Sequence, residues 1–209
     1  MKAHNKETQS KMTPEKALNT LKDGNERFKK SDKADRNLLQ QVDATSGGQW
    51  PFAVVLSCID SRVPAETVFD QGIGDIFSAR VAGNFVNEDI LGSIEYGCKV
   101  AGSKLVVVMG HTSCGAVKGA CDDVKLGHVT SLISKIKPAV QAVKEPQDES
   151  KRNSSNIEFV NEVAKENVHQ TIENMRSQSA ILKEMESDGS IKIVGAMYNV
   201  ENGSVTFYN

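Results

Sequence analysis

The 209-residue sequence predicts an α/β domain: a central parallel β-sheet flanked by helices, with a helical N-terminal arm and a C-terminal β-hairpin. Three observations carry this. The runs "PFAVVLS" (51–57) and "KLVVVMG" (104–110) are apolar without polar alternation, as strands covered on both faces must be. Helix-spaced segments lie between the strand-like ones, as parallel crossovers require. Near the end, "IKIVGAMYNV" and "SVTFY" flank "ENGS", and Asn-Gly between two such runs signals a hairpin.

Taken in order, residues 1–12 are polar and are expected to form a disordered tail. Thr13 and Pro14 read as an N-cap followed by proline at the first helical position. Ala17, Leu18, Leu21 and Phe28 then trace an amphipathic helix, interrupted in quality by Gly24. "RNLLQQVDATSGGQW" reads as a short helix and a Gly-Gly loop. After the first core strand, "PAETVFDQG" is a short helix opened by Pro64, and "GDIFSARVAG" a second strand. In "NEDILGSIEYGCKVAG" one helical face carries Ile90, Ile94 and Cys98, and Gly102 fits a C-terminal cap. "KEPQDESKRNSSN" reads as a solvated loop, and residues 157–185 as one or two helices. Residues 13–209 are thus expected to form a single domain.

Composition narrows the function. Lys plus Arg is 25, Asp plus Glu is 27, and the net charge of −2 offers no general pull toward nucleic acid or an anionic membrane. No basic stripe and no 18-residue apolar run occurs, so neither nucleic acid nor membrane is expected as a partner. The start lacks the apolar segment of a signal peptide, which points to the cytoplasm, with a periplasmic placement if a leader once preceded Met1. Four cysteines in a chain of this length make a poor disulfide scaffold and better metal ligands or small core residues.

Two stretches carry chemistry. "SCIDSR" (57–62) places a thiol, a carboxylate and a guanidinium at the end of the first core strand. "GHTSCG" (110–115) follows another core strand. In open parallel sheets ligands gather beyond the carboxyl ends of the strands. If these two strands are neighbours, Cys58, His111 and Cys114 converge. Two thiolates and an imidazole suit zinc rather than magnesium or calcium. Three protein ligands and one open corner make a catalytic site; four make a structural one. Asp60, on the same side as Cys58, either fills the fourth place or accepts a hydrogen bond from a water there, and Arg62 decides between these by pairing with it. Taken singly, each residue has a plainer reading: a small buried Cys, a loop His, a surface ion pair. Cys98 and Cys121, on helices at core-compatible spacing, keep that plainer reading, and His4, His128 and His169 read as solvent-exposed.

Together "SCIDSRVPAE", "ARVAGN", "SIEYG" and "GHTSCGAVKGA" resemble the β-class carbonic anhydrases, in the plant-like branch and of bacterial type, and "ALNTLKDGNERF" and "ENMRSQSAILKEMESDGSIKIVGAMYNVENG" are similar too. The resemblance implies a Rossmann-like parallel sheet and one Zn2+ per subunit held by Cys58, His111 and Cys114, with Asp60 and Arg62 as a catalytic dyad. It implies a homodimer, or a tetramer built from dimers, whose N-terminal helices embrace the partner and whose active sites lie near the interface. It implies that Gln49 contacts substrate, that Phe77 and Tyr96 are aromatic walls, and that Gly115 offers a backbone N–H. Ala82 departs from the valine frequent in that branch and widens the apolar pocket slightly. The implied activity is that of a lyase: reversible hydration of carbon dioxide to bicarbonate and a proton by zinc-bound hydroxide. Hydrolysis of carbon disulfide or carbonyl sulfide on the same scaffold, or a non-catalytic zinc-binding role, are the alternatives.

Overall fold

The structure, a computed structural model, describes residues 1–208. Among them five strands form one sheet in the order β2-β1-β3-β4-β5. The strands are β1 (Ala53–Ser57), β2 (Ile76–Arg80), β3 (Leu105–His111), β4 (Lys192–Tyr198) and β5 (Val205–Tyr208). The first four run parallel and β5 closes an antiparallel hairpin on β4, so the sheet is mixed.

β1 and β3 are buried along their whole length, and successive side chains enter different cores. Val54, Leu56, Val106 and Val108 join one cluster; Ala53, Val55, Leu105, Val107 and Met109 join the other. This is why both strands are apolar without alternation. Each fully buried Val or Leu contributes about 1.5–3 kcal/mol relative to exposure, so these two strands anchor the fold.

The N-terminal arm is α1 (Lys6–Ser10), α2 (Pro14–Lys29) and α3 (Leu38–Thr45). Helix α1 lies within the segment expected to be disordered. A capping box between Asn5 and Thr8 starts it, and Gln9 donates to the carbonyls of Pro51 and Ala101 at 2.8 Å each, tying it to the base of the sheet. Thr13 caps α2 with Pro14 in its first turn, as the sequence predicts. Buried Asp70 receives Arg27 and Arg36, clamping the connection after α2 to the body. By contrast α3 leaves Leu38, Leu39 and Val42 on the surface.

The remaining helices cover the sheet: α4 (Ala65–Val68), α5 (Glu88–Glu95) running into a π-helical turn (Tyr96–Val100), α6 (Gly115–Cys121), α7 (Gly127–Ser134), α8 (Lys137–Ala142), α9 (Ile157–Gln178) and α10 (Ala180–Ser187). The long α9 crosses β3 and β4 at close range. A Cβ at Gly110 would stand 2.8 Å from Val168, so a side chain there would push the helix off the sheet. No helix among the described residues is long and apolar enough to cross a membrane.

Candidate metal centre

β1 and β3 are neighbours, with Ser57 opposite Met109, so the two chemistry-bearing stretches leave the sheet side by side. Cys58 follows the last residue of β1, His111 ends β3, and Cys114 caps the start of α6. Ser113 adopts a left-handed backbone (φ 56°) that folds the chain back between them, and its N–H is held by Asn161 Oδ1 at 2.9 Å. The result brings Cys58, His111 and Cys114, all buried, to one point with their ligand atoms within 4.8 Å of one another. The sulfurs stand 4.0 Å apart. Two sulfurs on one tetrahedral zinc ion, each at about 2.3 Å, would be about 3.8 Å apart.

The imidazole is also set for a metal. Nδ1 lies 2.9 Å from the Thr112 carbonyl, which fixes the proton on Nδ1 and leaves a lone pair on Nε2. That Nε2 is buried and finds no hydrogen-bond partner among the described residues. An orphaned buried nitrogen costs on the order of 1–3 kcal/mol, and a cation between it and the two sulfurs removes that cost. Of the two thiols, Cys58 ionises first. Cys114 beside it, with the amides of Gly83 and Asp60, holds it well below the ordinary thiol range against the opposing effect of burial. Cys114, next to that negative charge and deeply buried, is pushed up. A divalent cation would hold both as thiolates. The residues present fit zinc.

Asp60 stands at the rim. Arg62 grips it with Nε on Oδ1 at 2.9 Å and Nη2 on Oδ2 at 2.8 Å, and its backbone N–H adds a third bond at 3.0 Å. This pairing holds the Asp60 carboxyl far below the usual carboxylate range. Oδ2 lies 3.9 Å from His111 Nε2, near the cluster but turned toward the guanidinium. The turn that presents Asp60 is fastened from the sheet edge: Arg80 donates to the carbonyls of Cys58 at 2.9 Å and Asp60 at 2.7 Å. Sequence reasoning gave Arg80, Asn161 and Asn167 no role, although Arg80 sits in the quoted "ARVAGN" stretch.

The structure does not gather every expected site residue. Gly115 follows Cys114 directly, with open space where a Cβ would project, and Ala82 lies half-buried in the loop after β2. Gln49 is exposed in the loop before β1. Phe77 and Tyr96 meet edge to face at 6.3 Å, but in a groove of about 740 Å³ along β2 that none of Cys58, Asp60, His111 and Cys114 lines. Phe77 pairs with Val54, four residues before Cys58, which is on the order of 13 Å along a strand. Cys98 and Cys121 stand apart from the cluster. Burial pushes their thiols up to about 12 and about 11, so both are neutral packing residues.

With this geometry in view, a sequence model of the family described as "Carbonic anhydrase" matches residues 53–205. The chain belongs to the β-carbonic anhydrase family. It is 37% identical over 198 residues to "Carbonic anhydrase 2" of Mycobacterium tuberculosis, covering 91% of this chain and 90% of that protein. Its fold is similar to that of β-carbonic anhydrase CafA of Aspergillus fumigatus, with TM-score 0.70 and 24% identity over 82% of this chain and 81% of that one. It is likewise similar to a tetrameric β-carbonic anhydrase of Sordaria macrospora, with TM-score 0.69 and 22% identity over 80% and 85%. The sequence relatives and the family match make this chain a carbonic anhydrase; the fold likeness agrees.

Proposed function

We propose that this carbonic anhydrase hydrates carbon dioxide reversibly and that Cys58, His111 and Cys114 would hold the one zinc ion it uses. The observation that carries the reading is the buried, partnerless His111 Nε2 facing two thiols, beside a carboxylate already committed to an arginine. Zinc at this point supplies Lewis acidity that brings the ionisation of water toward neutral pH.

The chain's own residues do the rest. Both Asp60 oxygens are engaged by Arg62, which keeps the carboxylate off the metal and leaves Oδ2 able to accept a hydrogen bond from the attacking oxygen. That bond aims the oxygen lone pair at the carbon of CO2. Arg62 holds the Asp60 carboxylate in place, and Arg80 fixes the turn that carries it. Gly115 N–H and Gln49 would donate to substrate oxygens as negative charge develops on them.

Phe77 and Tyr96 reach the site only from a second copy of the chain. β2 is a sheet edge, Tyr96 is 52% exposed, and α3 leaves Leu39 81% exposed. We assign the β2 groove and α3 to a homodimer interface in which each protomer lends its aromatic pair to the partner's apolar wall; tetramers form from such dimers. The test is stopped-flow CO2 hydration on zinc-loaded and zinc-stripped protein, with metal content measured on the same samples. Activity that follows one zinc per chain supports the reading. Full activity in stripped protein, or zinc uptake with no CO2 hydration, removes it.

A further inference from the structure

Cys58 has a partner that the catalytic reading does not use. The N–H of Gly83 donates to its sulfur at 3.3 Å. Gly83 sits in the turn after β2, where Asn84 N–H closes on the Val81 carbonyl at 2.9 Å. Its φ of +79° suits glycine alone, and a Cβ there would lie 2.4 Å from Ile136. A glycine in such a turn has the freedom to swing its N–H away from the sulfur unless something holds it. Asn167, almost fully buried on α9 and 84 residues further along the chain, donates Nδ2 to the Gly83 carbonyl at 2.8 Å. One amide thus grips the far side of the residue whose near side faces Cys58.

We propose that Asn167 is a positioning residue for the metal-binding sulfur of Cys58, acting through Gly83. A hydrogen bond to a ligating thiolate draws charge from the sulfur and stabilises its ionised form. With Gly83 held, the Cys58 sulfur donates less strongly to the ion, and the ion acts as a stronger Lewis acid. With Gly83 loose, the sulfur loses a partner in a dry site: its ionised form is less favoured against a proton, so a cation would be less firmly held, and the more strongly donating sulfur would leave that cation less acidic. The plainer role, that Asn167 merely satisfies a buried carbonyl, predicts a change in stability alone. The inference rests on the zinc reading above, and its test separates the two.

The experiment compares the wild type with Asn167→Leu, which removes the donor, and Asn167→Ser, which is smaller and leaves room for water if the leucine variant does not fold. Thr171→Val, buried one turn further along α9, controls for loss of a buried polar group. Three properties are measured on full-length protein: zinc affinity by chelator competition, the sulfur-to-metal charge-transfer band of the cobalt(II)-loaded form, and the pH profile of CO2 hydration. For the Asn167 variants we expect zinc affinity to fall about 10-fold or more, the band to move to lower energy, and the alkaline rise in activity to move to higher pH. Thr171→Val should leave all three in place. Folded Asn167 variants with the wild-type band and affinity would overturn the proposal. So would equal shifts in Thr171→Val, or loss of fold in both Asn167 variants, which would make the residue structural. If the wild type itself binds neither zinc nor cobalt through sulfur, the zinc reading fails first and this inference falls with it.

Discussion

The carboxyl ends of β1 and β3 and the outer edge along β2 present opposite kinds of surface. At the strand ends the polar groups are few and cross-tied: Arg62 on Asp60, Arg80 on two carbonyls, Asn161 on Ser113, and the buried Asn167 on Gly83. At the edge, Phe77 and Tyr96 line an open groove, and the leucines of α3 lie in solvent. The first region gathers Cys58, His111, Cys114 and the Asp60–Arg62 pair within one chain. The second has aromatic groups and none of Cys58, Asp60, His111 and Cys114. On the proposal above, the difference teaches that one fold would prebuild the charged half of a reaction site and leave the apolar half to assembly, because charge needs short fixed contacts whereas an apolar wall needs only coverage.

The largest effect should come from emptying the first region. Cys58→Ala or Cys114→Ala removes one of three ligands, and we expect loss of zinc together with essentially all CO2 hydration. Cys98→Ala, a packing thiol in the same core, should keep its zinc and lose on the order of 1 kcal/mol of stability. Metal analysis beside stopped-flow rates checks this. Zinc retained at wild-type level in Cys114→Ala would break the contrast between the two kinds of cysteine.

Next comes the rim. Asp60→Asn or Arg62→Ala leaves Cys58, His111 and Cys114 untouched, so zinc should stay at one per chain. Turnover should fall about 10²–10⁴-fold, the range set by losing a positioned proton acceptor. Full turnover in either variant would detach the dyad from the chemistry. Retained metal with lost rate is the signature that separates Asp60 from the ligands.

These two regions also differ in how far the sequence discloses them. β1, β3 and the hairpin are legible because burial on both faces leaves only apolar residues and the connection needs the left-handed Gly203. The convergence of Cys58, His111 and Cys114 is legible because both stretches follow core strands that turn out to be neighbours. The docking of α1 is not, since it depends on Gln9 reaching carbonyls 42 and 92 residues away. Nor is the part played by Asn167: within α9 an asparagine is only a weak helix former, and its meaning appears when Gly83 arrives beside it. Phe77 and Tyr96 show the converse. Their residue types mark a wall, while only the register of β2 shows that the wall stands away from the chain's own metal cluster.

A smaller effect tests the edge. Tyr96→Ala and Leu39→Glu alter the groove and α3 without touching any ligand. We expect Leu39→Glu to shift the assembly toward monomer in sedimentation at micromolar concentration, and Tyr96→Ala to lower kcat/KM about 10-fold with zinc unchanged, the size expected for losing a few apolar contacts to a small substrate. Mixing Tyr96→Ala with the inactive Cys58→Ala sharpens the point. A shared site yields mixed dimers holding one intact combination, so activity should rise above the sum of the parts. No rise on mixing, with mixed dimers demonstrated, would place each wall within its own chain.

The smallest expected effect is on stability, and pH gives its sign. Asp60 is held below its ordinary range in the folded chain, chiefly by Arg62. A depressed folded pKa stabilises at pH values above the unfolded value near 4, and that contribution is lost as pH falls through the folded value. Arg62 is half-exposed, so the pair contributes at most about 1 kcal/mol, or about 2–4 °C in Tm for a chain of this size. Arg62→Ala should therefore melt slightly below the wild type at pH 7, and the gap should narrow as the buffer is taken below pH 4. Removing Arg62 lets the Asp60 pKa rise only toward the ordinary range, leaving it ionised at neutral pH, so the drop in turnover of Arg62→Ala should be the same at pH 7 and pH 8. A drop that disappears at higher pH would mean Arg62 acts by keeping Asp60 charged, and the rim would then be an electrostatic device rather than a geometric one.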